Sequence, residues 1–87
     1  MPRISYFYGI TIAMYWDERD HQVAHFHAEY GGDLASVALD GTVLAGSLPT
    51  RAHRLVREWA QLHHDELLEN WQRARSQEAL DAIPPLP

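Results

Sequence analysis

Two histidines one residue apart, His25 and His27, are the side chains of this chain best placed to do chemistry. They lie in HQVAHFHAEYGG, residues 21–32, which gathers three of the six histidines within seven positions and adds Glu29. If the stretch is a β-strand, alternate side chains project to one side with Cα atoms roughly 6.5–7 Å apart. Imidazoles so spaced are able to share a divalent metal such as zinc, copper, nickel or iron. A third ligand is then needed, and Glu29, His21, Asp17 and Asp20 are the local candidates. The same pair suits acid–base work, because imidazole titrates near neutrality; one ring would be base and the other acid in cleaving an RNA phosphodiester. The plainer reading is a set of polar residues on the solvent or contact side of a half-buried strand.

Arg51, Arg54 and Arg57 recur at three-residue steps. On a helix they form a stripe whose guanidinium forks suit a phosphate or an acidic partner; a solvated face with local pairs such as Arg54 to Glu58 is the simpler alternative. His63 and His64 sit where a first helix would end, with His63 on the apolar side and His64 outward, and there imidazoles complement the last carbonyls. His53 falls outside the apolar stripe and is expected in solvent. Trp16, Trp59 and Trp71 lie on apolar stripes and read as core. Tyr15 shares the parity of Thr11 and Ala13, off the core face, and is expected to flank His25 or His27. The sequence has no nucleotide-binding glycine loop, serine-nucleophile motif or paired-carboxylate signature.

The elements that must carry these residues follow from periodicity. In YGITIAMYW (8–16), Ile10, Ile12, Met14 and Trp16 alternate with smaller or polar residues, the period of a half-buried strand. VAHFHAEY (23–30) alternates too, setting Phe26, Ala28 and Tyr30 against His25, His27 and Glu29. Gly31-Gly32 and Asp40-Gly41 are hairpin signals. Two-residue loops at both would pair Tyr30 with Asp33, Ala28 with Ala35, Phe26 with Val37, Leu39 with Thr42 and Val37 with Leu44. Paired residues share a face, so one face collects Phe26, Ala28, Tyr30, Ala35, Val37, Leu39 and Leu44, while His25 and His27 project outward beside Ala38 and Ser36.

After Gly46-Ser47-Leu48, Pro49 suits a first helical position. Ala52, Leu55, Val56, Trp59 and Leu62 form one apolar stripe, and Leu67, Leu68, Trp71 and Ala74 a second. At about 100° per residue the stripes lie roughly 100° apart on a straight helix, so the chain bends near His63-His64-Asp65 or two helices meet there. The tail EALDAIPPLP should lie against the body as an extended strap through Leu80, Ile83 and Leu86. The expectation is a single α+β domain over residues 1–87. It has a four-stranded antiparallel meander (strands within about 3–46), one bent helix or two helices packed on one face (about 49–76), and an extended strap at 77–87.

Composition bounds the function. Eighty-seven residues support only a modest core, and such chains often gain stability from a partner or an oligomer. Without cysteine there are neither disulfides nor thiolate metal sites. No signal-like or membrane-length apolar run occurs, so a soluble cytoplasmic protein is expected. The net charge of −5 disfavours general nucleic-acid binding. It is unevenly spread: −4 over residues 1–48 and −1 over 49–87, where the arginine stripe leaves room for a local contact.

PRISYFYGITIAMYW, AHFHAEYGG, DGTVLAGSLPTRAHRLVREWAQLHHDELLENWQRAR and the closing IPPLP together resemble a small bacterial family known only as a domain of unknown function, DUF4160. The resemblance implies a small partner-linked protein, often encoded beside another small domain in toxin–antitoxin-like gene pairs. Where the family typically reads PPHFHA this chain has VAHFHA, so Val23 and Ala24 replace a proline pair. The expected function is thus action through a small cognate protein from a neighbouring gene, a homo-oligomer, or both. A histidine-based ribonuclease-type toxin and a divalent-metal-binding protein are the alternatives.

Overall fold

The computed structural model describes residues 3–15 and 23–87. Trp16 and the ligand candidates Asp17, Asp20 and His21 lie outside the described residues. The chain forms β1 (Arg3–Phe7), β2 (Ile10–Ala13), β3 (His25–Tyr30), β4 (Asp33–Ala38), β5 (Val43–Gly46), α1 (Thr50–Leu62) and α2 (His64–Arg75). The strands make one antiparallel sheet in the order β1-β2-β3-β4-β5. The α+β class holds, but the sheet has five strands rather than four. The additional strand arises because Tyr8 and Gly9, read as the start of a strand, are a two-residue turn with φ of 50° and 80°. Tyrosine is rare in this left-handed region, so nothing but Gly9 marks the turn in the sequence.

The hairpin at Gly31-Gly32 has the anticipated register: Tyr30 pairs with Asp33, Ala28 with Ala35 and Phe26 with Val37. The second hairpin does not. The Gly41 N–H donates to the Ala38 carbonyl and the Ala38 N–H to the Thr42 carbonyl, enclosing a three-residue loop in which Gly41 has φ of 97°. This is a turn followed by a left-handed residue, a common three-residue hairpin connection. Val37 therefore pairs with Val43, and Leu44, expected on the apolar face, is 42% exposed. A bulge then restores the pairing of Ser36 with Ala45, so Leu44 is the extra residue.

Phe7, Ile10, Ile12, Met14, Phe26, Ala28, Ala35, Val37 and Leu39 form the sheet side of the core, and Ala52, Val56, Trp59, Ala60, Leu67, Trp71 and Ala74 the helical side. The Trp59 ring packs against Phe7 and Phe26, with centroids 5.3 and 5.6 Å away. Of the two readings of the helical region, two helices meeting is the observed one. His63 leaves helical geometry at φ −116° and ψ 30°, ending α1 and starting α2. The break turns each stripe toward the core, but Leu62 and Leu68 are 60% and 40% exposed and do not share in it. Tyr30, at the end of the apolar face, is also exposed.

After the turn at Ser76-Gln77, residues 78–87 form neither helix nor strand and make up the strap. Ile83 is buried, and Leu80 and Leu86 are partly buried against the core. The Ile83 N–H donates to the Ile4 carbonyl, so the strap lies along β1.

Candidate functional site

Strand pairing turns the histidine motif into a mapped surface. Residues paired across neighbouring strands share a face, so the face opposite the core consists of successive rows. The first row is Tyr6, Thr11, Glu29 and Leu34; the second is Arg3, Ala13, His27, Ser36 and Ala45, with the bulged Leu44 beside it; the third joins His25 to Ala38. Burial rises across these rows. Tyr6 and Leu34 are 55% and 58% exposed, His27 is half-buried and His25 is only 1% exposed.

The two histidines of the motif are therefore not equivalent, contrary to their joint outward placement in the sequence reading. His25 opens β3, and its ring lies 5.2 Å, centroid to centroid, from both His27 and Trp71 of α2. Its Nδ1 is 3.0 Å from the Val23 carbonyl oxygen. A carbonyl only accepts, so Nδ1 carries a proton and donates it. His27 stands edge-on to Tyr15 at 4.7 Å, as the parity of Tyr15 led one to expect. The result is an aromatic row, Tyr15–His27–His25–Trp71, running from partial exposure into the interior. Trp71 lies in the core, as its stripe predicts; its contact with His25 has no signal in local spacing, because the two residues are 46 positions apart.

Among the described residues, no three histidine, aspartate or glutamate side chains come together as a metal site. Glu29 occupies the first row, exposed, while His25 is at the buried end. The arrangement among these residues is one of ring packing, with a half-buried imidazole beside a row in which exposed Tyr6 and Leu34 flank Thr11 and Glu29.

The other candidates fall elsewhere. Arg51, Arg54 and Arg57 are all exposed on α1. Arg51 borders a small hollow of about 60 Å³ with Tyr8, Tyr30, Pro49 and Leu55. Arg57 lies close to Asp40, whose carboxyl is held below the usual carboxylate range chiefly by the Thr42 backbone N–H and the Thr42 side chain, with Arg57 a smaller cause. His53, expected in solvent, is partly buried, its Nε2 lying 3.0 Å from the Gly41 carbonyl. That contact ties α1 to the β4–β5 turn. His63 packs on Trp59 and pairs with Glu66, a structural role near the helix break. His64 is exposed, as expected.

A larger cleft, of about 340 Å³, opens where the strap passes α2, lined by Glu66, Glu69, Asn70, Asp81, Ala82 and Ile83. Arg73 bridges its acidic rim, with Nη2 2.7 Å from Glu69 and 3.5 Å from Asp81.

Residues 9–72 match the model of a family described as a domain of unknown function, DUF4160. No match was found among curated proteins or among solved structures. No helix among the described residues is long and apolar enough to cross a membrane.

Proposed function

The chain belongs to the DUF4160 family, and from that premise we propose that it is a small cytoplasmic binding module acting through a protein partner, one component of a toxin–antitoxin-like gene pair. The observation that carries this reading is the first row of the outer sheet face. Tyr6 and Leu34, more than half exposed, bracket Thr11 and Glu29 across four strands, with exposed Leu44 nearby. Apolar side chains on one sheet face, with the Glu29 carboxylate between them and the Arg3 guanidinium over the Tyr6 ring, suit a protein surface: the apolar groups supply burial and the charges supply register. His27, at the inner edge of that surface, is placed to add a polar contact. The partner we assign is the small protein encoded by a neighbouring gene.

The alternative of an acid–base pair finds less support. A general acid or base must reach the proton it moves, and His25 is almost fully buried while His27 is not. The net charge of −5 also works against an RNA substrate.

Co-expression with the neighbouring protein followed by size-exclusion chromatography tests the reading. One co-eluting complex is expected, weakened at least tenfold in the Tyr6→Ser, Leu34→Ser double variant while that variant keeps its thermal stability. Clean separation of two stable proteins overturns it.

A further inference from the structure

The strap is held mainly through its main chain, by side chains of the body. Asn70 bonds both the N–H and the carbonyl of Asp81, the Trp59 indole N–H donates to the Pro84 carbonyl at 2.9 Å, and the Tyr8 hydroxyl donates to the Pro87 carbonyl at 2.7 Å. One backbone bond, Ile83 N–H to the Ile4 carbonyl, joins it to β1. One apolar side chain, Ile83, is fully seated, while Pro84 and Pro85 lie exposed and restrict the strap to extended shapes. Backbone bonds, one aliphatic anchor and a stiff proline pair are the features by which folded domains hold extended peptides. Residues 77–87 also lie outside the family match, which ends at residue 72.

The hinge of the strap is strained. Ser76, Gln77 and Glu78 close α2 with a Schellman turn: the Gln77 N–H donates to the Ala74 carbonyl and the Glu78 N–H to the Arg73 carbonyl. The residue at the left-handed position of such a turn is usually glycine, and here it is Gln77 at φ 56°. An L-residue is disfavoured in that conformation because its Cβ crowds the following carbonyl oxygen, and an extended hinge relieves this.

We propose that the groove formed by β1, α1 and α2 is a peptide-binding groove, and that the occupant it accepts besides its own strap is the strap of a second copy of this protein. The second copy carries the one segment whose fit to Asn70, Trp59 and the Ile83 seat is already built, and straightening Gln77 both releases the strain and directs the strap outward. Exchange of identical segments is a low-cost route to a symmetric dimer, because the swapped contacts are the same as those within one chain. The short tether gives the chain's own strap an effective concentration of about a millimolar, so exchange grows with protein concentration and with any change that disfavours the hinge turn. This groove is separate from the outer sheet face of the proposed partner contact, so either assignment can fail alone.

Light scattering after size exclusion, over a concentration series, tests the exchange in the full chain. Gln77→Pro, which is barred from positive φ, is expected to raise the dimer fraction several-fold over wild type; Gln77→Gly, which relaxes the turn, is expected to lower it. Equal dimer fractions in all three proteins would overturn the proposal, since association would then run through another surface. If Gln77→Pro does not fold, complementation decides. Asn70→Ala damages the groove and Ile83→Asp damages the strap, and mixing the two is expected to yield a heterodimer with one intact strap site, more resistant to denaturant than either variant. Absence of that heterodimer overturns the proposal.

Discussion

Asn70 and Asp81 hold each other as a closed pair: the Asn70 amide nitrogen donates to the Asp81 carbonyl at 2.8 Å, and the Asp81 N–H donates to the Asn70 side-chain oxygen at 3.0 Å. Asn70 is only 1% exposed, so this exchange both satisfies a buried amide and fastens the strap to α2. Asn70→Ala leaves two strap backbone groups without their partner and should destabilise the fold by about 2–3 kcal/mol. Asn70→Asp keeps the shape but sets a buried carboxylate against the Asp81 carbonyl, acceptor to acceptor, and should destabilise at neutral pH at least as much as alanine. Urea denaturation curves check the order; an alanine variant as stable as wild type would show that the strap contributes nothing to folding.

His25 and His27 should separate sharply on substitution. His25→Ala removes a buried ring between His27 and Trp71 and should cost about 2–4 kcal/mol through the cavity it leaves. His27→Ala, at a half-buried site, should cost less than about 1 kcal/mol. If the partner contact includes His27, the same variant weakens complex formation by several-fold without unfolding the protein. Thermal melts and a binding titration, read side by side, check both statements.

Two glycines with similar backbone angles should respond differently to alanine. Gly46 has φ of 76°, and a Cβ there would collide with the Leu34 carbonyl oxygen, with the Leu34 and Ala35 backbone close behind. All three are backbone atoms and none belongs to a flexible side chain, so Gly46→Ala should shift β5 and destabilise by more than about 3 kcal/mol. At Gly31, φ is 54° and nothing lies within 4 Å. Gly31→Ala should therefore show only the left-handed penalty, about 1 kcal/mol. Thermal unfolding of the two variants measures the difference.

Asp40 confers a pH dependence whose sign is set by its turn. Its carboxylate accepts the Thr42 N–H at 2.9 Å, and its pKa is lowered from the usual 3.8, first by that bond. A lowered folded-state value means the contribution to stability is fully present above the unfolded value and is lost as pH falls through the folded one. Wild type should thus lose more stability than Asp40→Asn between about pH 5 and about pH 2. Parallel melts at the two pH values test this, and identical losses would remove the turn carboxylate from the acid response.

How far the sequence alone leads depends on the range of the interaction. Alternation placed Ile10, Ile12, Met14, Phe26, Ala28, Ala35 and Val37 in the core, and Gly31-Gly32 set the β3–β4 register, because a residue's side of a strand and a tight turn are local properties. The α1–α2 break was legible as a change of stripe phase, and the strap as proline-rich aliphatic tail. Other features were not. The Tyr8-Gly9 turn rests on a tyrosine in a conformation it rarely adopts, and the loop at Asp40-Gly41 takes three residues where two were equally compatible with the letters. The histidine motif shows the limit most clearly. Parity put His25 and His27 on one side of β3, and they are on one side; but parity is blind to what lies above a face. Trp71 comes from a helix 46 residues along the chain to lie against His25 and not against exposed Tyr6 or Leu34. Only tertiary packing decided which end of that face is interior and which end is exposed.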